Sequence, residues 1–267
     1  MRVVTLALST WESFLHNRLI VLVLILAACV VLLMLFPLLA AKAASTVSNR
    51  EAMEAMVLEE VSGVMSFVSG LGSVLAAWCA ADALQSELRS GTVLAVMARP
   101  VRRWEFLLGK YLGVMLFMFC YVCLMFCMSY LFVDIAGMRI HAAPWVLVVY
   151  PMVRYAIYAG LALCLATLVH PVVTMGTMLA LWILTETVGP GAVAWNAKLK
   201  WLKTALYYFL PSTNLFGEGR FLSLRQAALK QATWSDHAIT LAYGLDCALI
   251  LVLLAMWSFH YRSLRQD

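Results

Sequence analysis

Long apolar runs constrain this chain more than any other feature of its sequence. Six of them, each about 18 to 24 residues long, recur along the chain, and about 20 apolar residues in an α-helix cross the roughly 30 Å of hydrocarbon in a bilayer. Backbone groups in lipid must be satisfied within a helix or a closed barrel, and the unbroken runs lack the alternation that barrel strands require. The sequence therefore predicts an all-α membrane protein with six transmembrane helices, at 19–41, 62–83, 111–133, 146–169, 172–189 and 240–260.

The composition excludes a water-soluble domain. Charged residues make up 12% of the chain, about half of the roughly 25% found in globular proteins, and the mean hydropathy is +0.90. The first run exceeds the 7–15 apolar residues of a cleaved signal peptide, so we expect it to remain as a membrane anchor. The net charge of +5 favours anionic lipid headgroups or a protein partner over nucleic acid, because the basic residues are spread over several loops.

Residues 3–15 are expected to form an amphipathic helix ahead of the first span. Val4, Leu8, Trp11 and Leu15 fall on one helical face at this spacing. A helix of this kind lies in the plane of the membrane surface. A plain cytosolic tail is the alternative.

The longest predicted segment outside the membrane is the loop 190–239, which follows the helix-breaking Gly189-Pro190-Gly191. Within it, Trp195, Leu199, Leu202 and Leu206 again share one face, which predicts a short helix on the membrane surface. The stretch 210–220 is typical of a turn or loop. Between the fourth and fifth spans only His170 and Pro171 remain, so that connection must be tight.

A polar segment, residues 84–110, joins the second and third spans and raises the question of why it is so basic. With the three residues that follow, it holds seven charges, five of them basic. Arg and Lys beside spans can simply set topology. Topology, however, requires neither a Gly-Thr pair nor a Pro, and the ordered set here contains both.

That ordered set resembles the signature of ABC-2 type transporter permeases. The residues that carry the resemblance are Glu87, Gly91, Thr92, Pro100, Arg102, Arg103, Gly109 and Lys110. Six spans, an N-terminal amphipathic helix and the tight connection between the fourth and fifth spans fit the same family. Length and span order also resemble the subfamily linked to maturation of multicopper enzymes such as nitrous-oxide reductase.

The resemblance implies that the 84–110 segment faces the cytosol and forms a coupling helix that docks on a separate ABC ATPase subunit. Pro100 disfavours helix at the residue before it, so a short helix at 92–98 should end there. Arg102 and Arg103 could fork onto carboxylates of the partner. Glu87 could pair within the segment or across the interface, and Lys110 could reach the headgroups.

The chain has no phosphate-binding loop, because Gly109-Lys110 is followed by Tyr111 rather than Ser or Thr. We therefore expect ATP and Mg²⁺ in the partner ATPase and no cofactor in this chain. The resemblance also implies a second permease copy or paralogue, contact with membrane lipids, and a place in the cell membrane with both termini cytoplasmic.

Three ionisable residues lie within predicted spans: Arg154, Glu186 and Asp246. They are roughly 12, 4 and 9 Å from the outer ends of their spans at 1.5 Å per residue. A charge at the bilayer centre costs about 2.5–3.5 kcal/mol on insertion scales, so these groups should pair or face a watery cavity. Arg154 is expected to pair with Glu186 or Asp246, either lining the pathway or only locking the helices together.

Cys120, Cys123 and Cys127 share one face of the third span among several Met residues. Soft sulfur ligands suit Cu(I), yet three thiols on one helix cannot enclose a metal alone. A packing role is expected, and no metal site is predicted.

The resulting prediction is a permease subunit of an ABC transporter, an exporter working by alternating access, with ATP hydrolysis in a partner. The alternative is a membrane scaffold that couples a cytoplasmic ATPase to an extracytoplasmic protein without transport. The segment 42–61, which is rich in Glu, and the loop 190–239 would then be docking surfaces. The sequence does not identify the cargo.

Overall fold

The structure, a computed structural model, describes most of the chain. The residues described are 2–44, 50–90, 102–135, 144–188, 211, 213–216 and 234–261. Within these ranges the chain forms seven α-helices and one 3₁₀ turn, and no strand. The predicted all-α class is therefore confirmed.

The helices follow the apolar runs. Their bounds are α1 Arg2–His16, α2 Arg18–Ala44, α3 Arg50–Ser90, α4 Arg103–Ile135, α5 Pro144–Leu168, α6 Pro171–Val188 and α7 Trp234–Tyr261, with the 3₁₀ turn at Thr213–Phe216. By length and composition, α3, α4, α5 and α7 each contain a stretch able to cross a membrane. Among the described residues, α2 and α6 contribute shorter apolar stretches, Leu24–Leu33 and Val172–Thr185, so the predicted total of six spans stays a prediction.

Two helices extend further than the sequence analysis expected. Helix α3 begins at Arg50, so residues 50–61 of the polar segment 42–61 are helical and lead directly into the second span. Residues 50–61 are mainly Glu, Ala, Met and Leu, which are strong helix formers, and no Gly or Pro interrupts them. Helix α4 begins at Arg103 instead of residue 111, which places residues 103–110 of the 84–110 segment inside a helix.

The tight connection between α5 and α6 is confirmed. Two residues, Val169 and His170, separate the helices. Pro171 occupies the first helical position of α6, where its missing N–H leaves no hydrogen bond unmade. The backbone N–H of Thr174 donates to the carbonyl of His170 at 3.0 Å and closes the first turn.

Helices α3, α4 and α5 form the centre of the bundle, and their contacts depend on small residues. Ala76, Ala80, Ala159 and Ala162 are fully buried. Small side chains let membrane helices approach closely where lipid supplies no hydrophobic drive for association.

Contacts at the helix ends give the directions of the helices. At one end of the bundle, here called the junction end, α3, α5 and α7 finish while α4 and α6 begin. Side-chain contacts that join these ends include Gln85 with Thr174 at 3.4 Å and Thr167 with Ser258 at 2.9 Å. The opposite end is called the far end, and there the rings of Trp145 and Trp234 stack with centroids 5.6 Å apart.

Residues 2–16 form helix α1, and the face that packs against the chain is not the one that the sequence analysis placed on the membrane. Val4 and Leu8, expected on the membrane-facing side, are exposed, while Ala7, Thr10 and Phe14 are buried against α4. The contacts advance by four residues on both helices: Leu6 on Gly109, Thr10 on Gly113 and Phe14 on Phe117. Helix α1 therefore runs alongside α4 in the same direction, and its placement at the membrane surface stays a prediction.

Candidate functional site

The candidate site is the junction end. Here the end of α3 and the start of α4, which carry the two ends of the 84–110 segment, approach each other. Helix α3 ends at Ser90 and α4 begins at Arg103. Gly91, Thr92, Pro100 and the predicted short helix at 92–98 lie outside the described residues. The other members of the predicted set, Glu87, Arg102, Arg103, Gly109 and Lys110, lie on these two helices or directly beside them.

Glu87 and Lys110 join the end of α3 to the start of α4. The Lys110 ammonium donates to Oε1 of Glu87 and forms an ion pair with it. It also lies 5.8 Å from the centre of the Phe106 ring, a cation–π contact. The side chain of Lys110 is only 6% exposed and that of Glu87 is 26% exposed. Pairing within the segment is thus the alternative that the structure shows, and Lys110 does not extend to the headgroups as the sequence suggested.

Arg103 connects α4 to the C-terminal end of α7. Its Nη1 donates to the carbonyl oxygen of His260 at 2.8 Å. The last carbonyls of a helix lack partners within the helix and carry partial negative charge. A guanidinium at this end therefore donates a hydrogen bond to one of these carbonyls and interacts favourably with the helix dipole. The sequence analysis assigned this arginine to a partner's carboxylates, whereas the structure gives it a contact within the chain.

Arg102 lies just before α4, and its backbone helps the helix begin. Its N–H donates to Oε2 of Glu105 at 2.9 Å, which is the reciprocal half of a capping box. The Arg102 side chain is exposed. Of the two predicted arginines, Arg102 is therefore the one whose charge is presented outward.

Gly109 and Gly113 let α1 pack directly on α4. A Cβ atom at Gly109 would lie 2.7 Å from Cβ of Leu6, and one at Gly113 would lie 2.7 Å from Cβ of Thr10 and 2.8 Å from the carbonyl oxygen of Ala7. The resemblance assigned Gly109 to coupling, and the structure shows its local function as close helix packing. The sequence analysis missed Gly113, although a Gly-x-x-x-Gly spacing in an apolar helix predicts such a contact.

An aromatic contact completes the junction end. Phe106 of α4 and Phe259 of α7 are fully buried, and their rings stack with centroids 6.0 Å apart. Together with the Arg103 contact, this fixes the start of α4 to α7. A displacement of the 84–110 segment would therefore be transmitted to α1, α3, α4 and α7 together.

A second polar cluster lies between α5, α6 and the 3₁₀ turn. The Tyr158 hydroxyl hydrogen-bonds to Oγ1 of Thr185 at 2.7 Å and to Oγ1 of Thr213 at 3.3 Å. The Arg154 guanidinium lies 6.0 Å from the Tyr158 ring centre, and Arg154 is 3% exposed. Tyr158 lies about 21 Å along α5 from its start at the far end. The turn at 213–216 therefore enters the bundle deeply, where irregular backbone is tolerated only when protein or water surrounds it.

Of the two predicted pairings of Arg154, the one with Asp246 is not seen in the structure. Arg154 is buried on α5, whereas Asp246 is exposed on α7. The side of α7 that contacts α5 carries Gly244 and Ala248, and Asp246 lies on the opposite side. The Glu186 side chain lies outside the described part of the chain, so its pairing with Arg154 stays a prediction.

The Cys and Met residues of α4 divide between two sides of the helix. Met118 and Met125 are buried, while Cys120 and Cys127 are exposed and Cys123 is partly buried. Packing within the chain therefore explains the positions of Met118 and Met125, but it does not explain those of the exposed thiols. Among the described residues, no three His, Cys, Asp or Glu side chains form a group that could hold a metal ion.

Several long apolar helices, closely packed through small residues, make this a multi-pass membrane protein. A family model described as "ABC-2 family transporter protein" matches residues 13–264. The chain belongs to that family, and it is therefore a permease, the non-catalytic membrane subunit of an ABC transporter. Permeases of this family generally work with ABC ATPase subunits. A comparison with curated proteins returned no match.

Proposed function

We propose that this chain is the permease of an ABC exporter and moves its substrate by alternating access, driven by a separate ATPase subunit. The 84–110 segment would dock on that ATPase from the cytosol. Six spans, both termini in the cytoplasm, a place in the inner or cytoplasmic membrane and a second permease copy or paralogue belong to the same proposal. The narrower link to permeases of multicopper-enzyme maturation stays a hypothesis.

The observation that carries this proposal is the packing of the junction end. The segment is held on one side by the Glu87–Lys110 ion pair and on the other by Arg103 and Phe106 against α7. Because packed helices move as units rather than bending freely, a push on this segment would tilt α3 and α4 together. Alternating access requires such coupled motion.

Charge at the junction end supports an acidic docking partner. Arg102 presents its guanidinium outward, while Glu105 accepts the Arg102 backbone N–H. An outward guanidinium can form a bidentate contact with a carboxylate of the partner, which an ammonium cannot reproduce.

The proposal is tested by reconstitution with an ABC ATPase that co-purifies with this chain from its own cells. Both subunits are purified together and placed in vesicles, and ATP hydrolysis is measured for the natural permease, Arg102→Lys and Arg102→Glu. We expect charge reversal to reduce complex formation at least tenfold and Arg102→Lys to reduce it less, because Lys keeps the charge but loses the fork. Equal hydrolysis and co-elution for all three would contradict docking at this segment.

Transport itself is measured with candidate cargoes in the same vesicles. ATP-dependent movement of a cargo out of the compartment that contains the nucleotide supports an exporter. Hydrolysis that responds only to an added extracytoplasmic protein, with no flux of any cargo, would instead indicate a scaffold that transmits force.

A further inference from the structure

Helix α7 carries a carboxylate on a side that the rest of the described chain leaves uncovered. Its buried residues form one stripe toward the bundle: Gly244, Ala248, Val252, Ala255 and Phe259. At 100° per residue, Asp246 lies about 160° away from the middle of that stripe. It is exposed, and it points away from α5.

Asp246 lies close to the middle of the membrane. Trp234 and Trp257 are 76% and 65% exposed, and exposed Trp residues at the two ends of a span mark the two membrane interfaces. Along the helix, Asp246 is about 18 Å from Trp234 and about 16 Å from Trp257. The sequence analysis measured its depth from residue 240, whereas helix α7 begins at Trp234.

The surroundings of Asp246 on α7 are mainly apolar, and Tyr243, one turn before it, is the polar exception. On the exposed side of α7 its neighbours include Leu245, Leu249 and Ile250, which are 57%, 59% and 55% exposed. Lipid tails offer no hydrogen bond to a carboxylate, so charged residues in spans face a partner or a watery cavity. Of the most apolar stretch of α7, 22% is buried in the chain, against 78% for α5. This side of α7 therefore has room for a further helix.

We propose that the face of α7 centred on Asp246 binds a transmembrane helix of a different protein, one that carries a Lys or Arg near the bilayer midplane. Such a side chain would neutralise the carboxylate, and the flanking Leu249 and Ile250 would pack against the apolar surface of that helix. The inference requires only that α7 spans a membrane. It therefore stands or falls separately from docking on an ATPase.

A second copy of this chain fits that face less well. By two-fold symmetry, α7 against α7 would place one Asp246 near another, and like charges repel. Arg154 and Lys110 are buried in their own chain, and Arg103 contacts the carbonyl of His260 near the end of α7, so none of these cations is placed to meet Asp246 of a second copy. Charge complementarity therefore favours a partner of different sequence.

The test uses the full chain, labelled with a fluorescence donor, in lipid vesicles. Three acceptor-labelled peptides serve as probes: a Leu/Ala helix of about 23 residues with Lys at its centre, the same helix with Leu there, and the same helix with Lys near one end. We expect the central-Lys peptide to associate at least about fivefold more strongly than the others, from the strength of polar contacts between membrane helices.

Variants locate the effect on the chain. Asp246→Asn should remove the preference for the central Lys, Asp246→Glu should retain it, and Asp134→Asn should leave it unchanged, since Asp134 is also exposed but lies near the end of α4. Two results would overturn the proposal: equal association of the central-Lys and Leu peptides, or full competition by a peptide of residues 234–261. The second result would assign the face to another copy of this chain.

Discussion

Replacing Gly113 by Ala should loosen α1 from the bundle. The added methyl would lie 2.7 Å from Cβ of Thr10 and 2.8 Å from the carbonyl oxygen of Ala7. Carbon atoms pack at about 3.5–4.0 Å, so α1 must retreat by about 1 Å along much of its contact with α4. The second clash involves backbone, which cannot rotate away as a flexible side chain can.

The magnitude is obtained by comparison with a matched glycine. Gly63 lies in α3, and a Cβ there would meet no atom within 4 Å. Both substitutions gain the same helix propensity, up to about 1 kcal/mol, so their difference isolates the steric effect. Overpacking costs about 1–3 kcal/mol, and we expect the opening of α1 to become about 5- to 150-fold more frequent in Gly113→Ala than in Gly63→Ala.

Hydrogen exchange of the purified protein in lipid nanodiscs measures this directly. Amides of residues 6–14 should exchange faster in Gly113→Ala, while those at the centre of α5 should be unaffected. If α1 is equally protected in both variants, α1 does not depend on close contact with α4, and the packing described here is wrong.

Three further predictions concern stability and use thermal unfolding in detergent. Glu87→Gln and Lys110→Met should each lower the free energy of unfolding by about 1.5–3 kcal/mol, because each leaves a partly buried charge without its partner. The double variant should lose less than the sum of the two losses, and strict additivity would show that the two side chains do not interact. Phe216→Ala should lower the free energy of unfolding by about 3–5 kcal/mol, because it opens a cavity. Phe119→Ala, on an exposed side of α4, should lower it far less, and similar losses in the two variants would argue against a buried turn. Tyr158→Phe should cost about 0.5–1.5 kcal/mol through its lost hydrogen bonds, and an unchanged melting temperature would contradict their contribution.

The sequence predicted the helices well because a long apolar run has few alternatives in lipid. The tight turn at His170-Pro171 and the spans within α3, α4, α5 and α7 follow from length and hydrophobicity alone. Helix ends were less predictable, since residues 50–61 and 103–110 continue helices beyond the apolar runs. Hydrophobicity marks where a helix enters lipid and carries no information about where the helix itself ends.

The contacts within the candidate site could not be predicted from the sequence. Glu87 and Lys110 are 23 positions apart, and no local pattern shows that the two helix ends bring them together. Arg103 has its partner at the C-terminal end of α7, which only the tertiary fold brings near. Helix α7 begins at Trp234, six residues before the predicted span, which adds about 9 Å of helix ahead of Asp246.

The burial of the turn at Thr213–Phe216 could not be predicted from local composition. Its sequence is typical of a surface loop, yet Phe216 is fully buried against Val153 and Gly244. Gly244 has no side chain, and the Phe216 ring occupies the space that a Cβ would need. A single glycine on a distant helix thus provides the cavity for the loop, a relation that local sequence patterns do not encode.

The most direct test of the central proposal is a photo-cross-link from the 84–110 segment. A benzoylphenylalanine placed at Thr92 in the full chain is irradiated in intact cells of the source organism. The account predicts an adduct with the ATPase subunit that is lost when Arg102 is changed to Glu. An adduct with an extracytoplasmic protein, or labelling of a cysteine at this position by a membrane-impermeant reagent added outside, would contradict it.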